Sequence, residues 1–262
     1  MQQPTNATKA PLFSIITVCR NAQALIGPTI DSLARQDFRD FEYLVIDGAS
    51  TDGTLDVVRT QAVGLELRML SEPDDGIYDA MNKGARLANG QWLYFMNAGD
   101  AFVNASVLRN VAMKLKERSE SDLGYGDVIY TGTGGQRLVS FKWITSRNLL
   151  FTHLCHQSVF AKRATFNRFG FFDTRYRINA DFEWLLRIFR GGGRCLYLGF
   201  TIAFFDDSGV SSRAYKERRS ERSTIINSYL PPGLGRPIQI AYRVSRKILR
   251  MAGVVRRQLP SS

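Results

Sequence analysis

The sequence predicts an α/β fold: a mostly parallel sheet with helices on both faces, in a single domain followed by a basic helical tail. Short β-branched runs alternate with segments of helical periodicity, the pattern of repeated strand–helix units. Polar clusters follow the ends of those runs, at the edge where open parallel sheets bind ligands. Charge is split along the chain. Residues 209–262 hold twelve Lys and Arg against two Glu, or +10, while the whole chain carries +11, so residues 1–208 are nearly neutral.

Phe13–Cys19 (FSIITVC) reads as a buried strand, and the stretch after it places Ile26, Ile30 and Leu33 at helical spacing. Phe41–Ile46 (FEYLVI) is a second strand; it ends in DGASTDGT, and Thr54–Gln61 forms the next helix. Leu67–Leu70 predicts a third strand, SEPDDG a turn, and Ile77–Ala88 a helix. Gln91–Met96 (QWLYFM) is a fourth strand, closed by the polar NAGD. Farther on, Leu123–Tyr130 and Leu138–Phe141 flank TGTGGQ as a hairpin, and Asp181–Arg190 is a helix with Phe182, Leu185, Leu186 and Phe189 on one side.

A chain of 262 residues with 44% hydrophobic content can bury one substantial core. Its three cysteines, Cys19, Cys155 and Cys195, are far apart and in no C-x-x-C arrangement, so they read as reduced thiols. The opening MQQPTNATKAP has no apolar core of a signal sequence, and no run reaches the roughly 18 apolar residues of a spanning helix. A cytoplasmic protein is the expectation. Positive charge gathered in a tail does not make a uniformly basic binding face, so no nucleic-acid partner is expected.

Four segments, VIDGASTDGT, SEPDDGIYDAMNKGARLANGQWLYFMNAGD, HQSVF and NADFEWLLR, stand in an order and spacing that resembles the family-2 glycosyltransferases of the GT-A fold, of the bacterial polysaccharide-biosynthesis type. The resemblance covers about residues 11–205, and its weight lies in four pieces being in register. It implies a GT-A-like domain over 11–208, a tail over 209–262, and a hexosyltransferase-type enzyme using a nucleotide-sugar donor, a UDP-sugar by preference. Such transfer needs a pocket for base and ribose, positive charge on the departing diphosphate, and a base for the acceptor hydroxyl.

The resemblance assigns the nucleobase and ribose to Asp47, with Thr17 and Asn21 lining the base pocket. Gly48 stands where relatives often have a second Asp, Arg20 where an aromatic is common, and Met81 where many have an Arg. If the family's phosphate contact is retained, Lys83 is the candidate substitute, against an exposed helix-face lysine. Asn97-Ala98-Gly99-Asp100 occupies the place of the acidic cluster that holds Mg²⁺ or Mn²⁺. Asp100 is the metal ligand in this reading, because one carboxylate with substrate phosphates and water suffices for Mg²⁺; its competing role is capping a following helix. Asn97 either adds an oxygen or shapes the turn. His156, in the HQ pair with Gln157, reads as a donor or metal contact or as a satisfied core residue. Asp181 is the expected catalytic base, against an N-cap role, with Glu183 as runner-up; Asp47 and Asp52 also suit Asx-type turns.

In the tail, Ile238, Ala241, Val244, Ile248, Met251, Val255 and Leu259 recur among Arg243, Arg246, Lys247, Arg250, Arg256 and Arg257. This basic amphipathic helix suits either an anionic membrane surface, which would make the enzyme peripheral on the inner face of the plasma membrane, or docking on the domain. The whole reads as non-processive, inverting transfer to a glycan or lipid-linked acceptor in surface polysaccharide biosynthesis, since the Q-x-x-R-W motif of processive synthases is absent. Three competitors remain at this level. A nucleotidyltransferase making the activated sugar would want a Lys- and Gly-rich phosphate loop near the amino terminus. A dinucleotide oxidoreductase would want G-x-G-x-x-G where CRNAQALIG stands. A non-catalytic basic membrane or nucleic-acid module would leave the acidic clusters idle.

Overall fold

Along β1 (Phe13–Cys19) the side chains alternate between two cores, Ile16 and Val18 on one face, Phe13, Ile15 and Cys19 on the other. The same division runs through β2 (Phe41–Asp47), with Leu44 and Ile46 opposite Phe41, Tyr43 and Val45. That period of two fixes a sheet buried on both sides. The computed structural model describes residues 10–132, 135–206 and 215–231, with Gly233, Leu234, Pro237 and Ile240. Apart from Pro237 and Ile240, the tail helix predicted over 237–259 lies outside the described residues.

The remaining strands are β3 (Leu67–Ser71), β4 (Trp92–Phe95), β5 (Ala101–Phe102), β6 (Leu123–Thr131), β7 (Arg137–Val139), β8 (Val159–Lys162) and β9 (Cys195–Asp206). They lie in the order β3-β2-β1-β4-β8-β6-β9-β5, with β7 paired on β6. From β3 to β4 all pairings are parallel, each strand returning through a helix. β8 then enters antiparallel between β4 and β6, and β6 pairs parallel with the long β9. The predicted hairpin forms, with Val128 opposite Val139.

On the second face sit α1 (Gln23–Ala34), α2 (Thr54–Gln61) and α4 (Val107–Glu117), through Ile26, Val58 and Val111. On the first sit α3 (Ile77–Leu87), α5 (Arg163–Phe169) and α6 (Ala180–Arg190). Gly84 lets α3 lie close: a Cβ there would come within 2.5 Å of Ile16 Cγ2. Phe166 stacks on Trp184 at 4.6 Å and Phe172 tilts against it at 5.1 Å, tying α5 and the segment after it to α6. Each such buried ring contributes roughly 1.5–3 kcal/mol. A seventh helix, α7 (Tyr215–Ser228), buries Ile225 and Ile226 in this same core, although it lies beyond residue 208, where the sequence reading ends the domain.

Candidate functional site

The loops after β1, β2, β3 and β4 gather at the carboxyl edge of the parallel half-sheet, and eight residues singled out from the sequence lie in or beneath them or on the facing elements. They form two groups. Among the loops after β1 and β2, Asn21 adopts φ +48°, a left-handed conformation that Asn tolerates, and its Oδ1 accepts from Thr51 N at 2.9 Å while its own N–H donates to Ser50 Oγ at 2.7 Å. Asp47 is fully buried. Its carboxylate accepts from Ser50 N at 2.9 Å, Ser71 Oγ at 2.7 Å, the Ser50 hydroxyl and the Cys19 thiol, so it closes the turn after β2. Burial, then the Asp47 charge, pushes that thiol up to about 12, which keeps it a donor.

Thr17 is also fully buried, its Oγ1 accepting from Tyr43 OH at 3.1 Å, which puts the side chain beneath the loops in the core. Asp52 accepts from Thr54 N at 3.0 Å and Gln23 N at 3.2 Å, an Asx-type closure at the start of α2. Lys83 donates to Pro73 O at 2.7 Å and pairs with Glu72 at 2.9 Å and Asp79 at 3.4 Å, pinning the 72–76 turn to α3. The missing second acid after β2 has a steric counterpart: a Cβ on Gly48 would sit 2.3 Å from Asp74 Oδ2, so Asp74 fills that space.

The second group is one connected network. The turn after β4 closes by Asp100 N to Asn97 O at 3.0 Å and Asn97 N to Asp100 Oδ2 at 3.1 Å. α4 starts only at Val107 with Ser106 at its N-cap, so Asp100 does not cap it. Gln157 Nε2 donates to Asp100 Oδ2 at 3.1 Å, and its Oε1 accepts from the buried Cys155 thiol. Asn97 Nδ2 meets His156 Nε2 at 3.3 Å, and His156 Nδ1 meets Asp181 Oδ2 at 3.1 Å. Because Nδ1 faces a carboxylate it carries the proton, and Nε2 then accepts from the Asn97 amide. Asp181 Oδ1 accepts from Tyr78 OH and Phe182 N, at 2.9 and 2.8 Å.

Asp181 is buried yet ionised. Burial works against its charge, but the His156 hydrogen bond and charge, the His153 charge and the Tyr78 hydroxyl together hold its pKa down at about 2. It is not the N-cap of α6; that position belongs to Asn179. Glu183 is tied to Arg187 and to Tyr229 OH at 3.1 Å, on another side of the helix. Asn97 Oδ1 is buried without a hydrogen-bond partner among the described residues. No three His, Cys, Asp or Glu side chains converge there in the described residues. The donors present, one carboxylate and one orphaned amide oxygen, fit a hard cation that draws its other ligands from phosphate and water.

Gln157, Tyr78 and Asp74 were not among the candidates drawn from the sequence. Gln157 stood in the quoted HQ pair, but Tyr78 reads as an apolar helix position, and no local pattern signals that its hydroxyl reaches Asp181.

The family model described as Glycosyl transferase family 2 matches residues 14–218. A PGL/p-HBAD biosynthesis glycosyltransferase of Mycobacterium bovis is 38% identical over 216 residues, covering 80% of this chain and 82% of that one, and a Mycobacterium tuberculosis protein of the same name matches equally. Among solved structures, S. aureus TarS 1-349 in complex with UDP aligns with TM-score 0.67 at 22% identity, over 87% of this chain and 69% of that one. The mannosyltransferase PcManGT of Pyrobaculum calidifontis, in complex with GDP-Man and Mn²⁺, aligns with TM-score 0.61 at 21% identity, over 90% and 70%. At these identities the structural likenesses show the fold alone, which is GT-A-like.

Proposed function

The chain belongs to glycosyl transferase family 2, and from that premise we propose that this glycosyltransferase moves a sugar from a nucleotide-sugar donor, a UDP-sugar by preference, to a lipid-linked or glycan acceptor, one unit at a time and with inversion. The observation that carries the reading is the connected run from Asp100 and Asn97 through His156 to Asp181 and Tyr78, set at the ligand-binding edge of the sheet. The relatives named for PGL/p-HBAD biosynthesis support a glycolipid acceptor, and neighbours solved with UDP or GDP-Man support a nucleotide-linked donor. Family membership leaves the nucleotidyltransferase, oxidoreductase and non-catalytic readings without support.

The chemistry follows from the side chains. Asp181 uses three of its roughly four lone-pair positions on Tyr78, Phe182 and His156, which leaves one on Oδ2 for an acceptor hydroxyl. Ionised at neutral pH, it takes the hydroxyl proton as the acceptor oxygen bonds to the anomeric carbon and the bond from that carbon to the diphosphate breaks, the electron pair leaving with the diphosphate. With a pKa of about 2 it is a weak base before attack, so it receives the proton only as the hydroxyl bonds. His156 keeps the carboxylate in place through Nδ1–H. A Mg²⁺ or Mn²⁺ ion, when held by Asp100 with Asn97 Oδ1, supplies positive charge to the departing diphosphate. At the nucleotide end, Asn21 and the Asp47 turn shape the recess for base and ribose.

A thermal-shift series with UDP, GDP, dTDP and CMP, each with and without Mn²⁺, tests the donor class, since a ligand that binds only the folded state stabilises it. One nucleotide should raise Tm more in the presence of Mn²⁺; no shift with any of the four would end the reading. The basic tail is assigned to an anionic membrane surface, on the cytoplasmic side. Reversing Arg246 and Arg250 to Glu should weaken sedimentation with anionic vesicles, each cation near such a surface contributing on the order of 1 kcal/mol. Undiminished sedimentation would remove that role.

A further inference from the structure

We propose that Glu221, on α7, is a positioning residue of the transfer site; the proposal rests on the reading of Asp181 and His156 as the transfer pair. α6 begins without a local side-chain cap, for Asn179 at its N-cap position makes none. The amides just ahead of the helix have no partner within it and need acceptors from elsewhere. The Glu221 carboxylate takes three in succession, Arg177 N at 2.7 Å, Ile178 N at 3.0 Å and Asn179 N at 3.0 Å. Asn179 Nδ2 adds contacts to Glu221 Oε2 at 3.2 Å and to Arg218 O at 2.9 Å. A cap supplied from 42 to 44 residues downstream is a tertiary clamp on this turn.

The clamped turn is continuous with the chemistry. Ile178 O and Asp181 Oδ1 lie 2.8 and 2.9 Å from the one hydroxyl of Tyr78, so displacement of residues 177–179 shifts the partner of Asp181. Asp181 in turn holds His156 at 3.1 Å. The next residue of α7 grips the other flank: the Arg222 guanidinium lies 3.8 Å from the Phe182 ring centroid and donates to Thr152 O, four residues before His156. Both segments that carry the pair are therefore held by α7, while Ile225 and Ile226 anchor it in the core. Removing the Glu221 carboxylate frees three amides of the turn that leads into α6, and a shift of about 1 Å in a reacting group can cost on the order of 10²-fold in rate.

The chain has two histidines, His153 and His156, so long-range ¹H–¹⁵N spectra of the imidazoles can be assigned with a single His153→Asn variant. In the full chain at pH 8, His156 should be the Nδ1–H tautomer. Glu221→Ala should mix the two tautomers and lower turnover by about tenfold or more while UDP affinity stays within about twofold. Glu221→Gln, which keeps the size and one acceptor oxygen, should mix them less and serves as the test should Glu221→Ala not fold. Ile225→Val loosens the same helix without touching the clamp, and its His156 should stay wholly Nδ1–H. A folded Glu221 variant with an unchanged tautomer overturns the proposal, and so does equal mixing in Ile225→Val at matched stability. Failure of the wild type to bind any nucleotide would defeat the transferase mechanism, while the tautomer result would still decide what Glu221 holds in place.

Discussion

At the proposed nucleotide end of the site the polar side chains close on one another across neighbouring loops, whereas at the proposed transfer end they reach across the chain. Asp47 bonds to Ser50 and Ser71, and Asp52 to Thr54 and Gln23, all within 29 residues. Asn97 meets His156 59 residues away, and Tyr78 meets Asp181 at a separation of 103. The first set satisfies itself. The second leaves Asn97 Oδ1 buried without a partner in the described residues and one lone-pair position on Asp181. A buried unsatisfied oxygen costs about 1–3 kcal/mol, so one in a folded protein calls for a reason such as a catalytic role, an ordered water or a bound ion. Substitutions at the nucleotide end should thus act largely through stability, and those at the transfer end through turnover.

The largest effect should come from Asp181→Asn. Turnover, followed as nucleoside diphosphate released from a sugar donor of the nucleotide that thermal shift selects, should fall by about 10² or more with donor affinity nearly unchanged. Asn keeps the size and one acceptor oxygen, so a purely structural residue would tolerate it. A fully active variant would break the contrast at its catalytic end. Asp47→Ala should lower stability by about 1–3 kcal/mol, because Ser50, Ser71 and Cys19 each lose a buried acceptor. Denaturant titration reads it directly. An undiminished midpoint with weakened nucleotide binding would make Asp47 a ligand contact rather than a closure of the turn. The smallest effect belongs to Lys83→Met: its pairs with Glu72 and Asp79 lie at the surface, and such pairs contribute at most about 1 kcal/mol. A turnover loss above about tenfold without loss of stability would instead sharpen Lys83 into a phosphate contact.

The parallel half of the fold was legible because its strands are short β-branched runs followed by helices that bury Ile26, Ile30 and Leu33 at regular spacing. β8 was not, since its four residues become a strand only by pairing with Leu93 on one side and Gly124 on the other. α4 could have been found, for Val107, Leu108, Val111 and Leu115 are a helical stripe, and so could the apolar β9. In the site, the segments were visible as motifs but the orientation of their side chains was not. Thr17 lies on the face of β1 that carries Phe13 and Ile15, and it is buried because both faces of the sheet are covered. Glu221 sits in a charged run, and three of its partners are backbone amides, which carry no sequence signal.

We propose that the Asp100 turn holds a nucleoside diphosphate with a divalent ion while Asp181 acts only in transfer. Calorimetric titration of UDP and GDP, with and without Mn²⁺, into the wild type, Asp100→Ala and Asp181→Asn tests it most directly. One nucleotide should bind the wild type in a Mn²⁺-dependent way, Asp181→Asn should match it, and Asp100→Ala should bind at least about tenfold more weakly, a difference of about 1.4 kcal/mol. Undiminished, Mn²⁺-dependent binding by Asp100→Ala would contradict the claim.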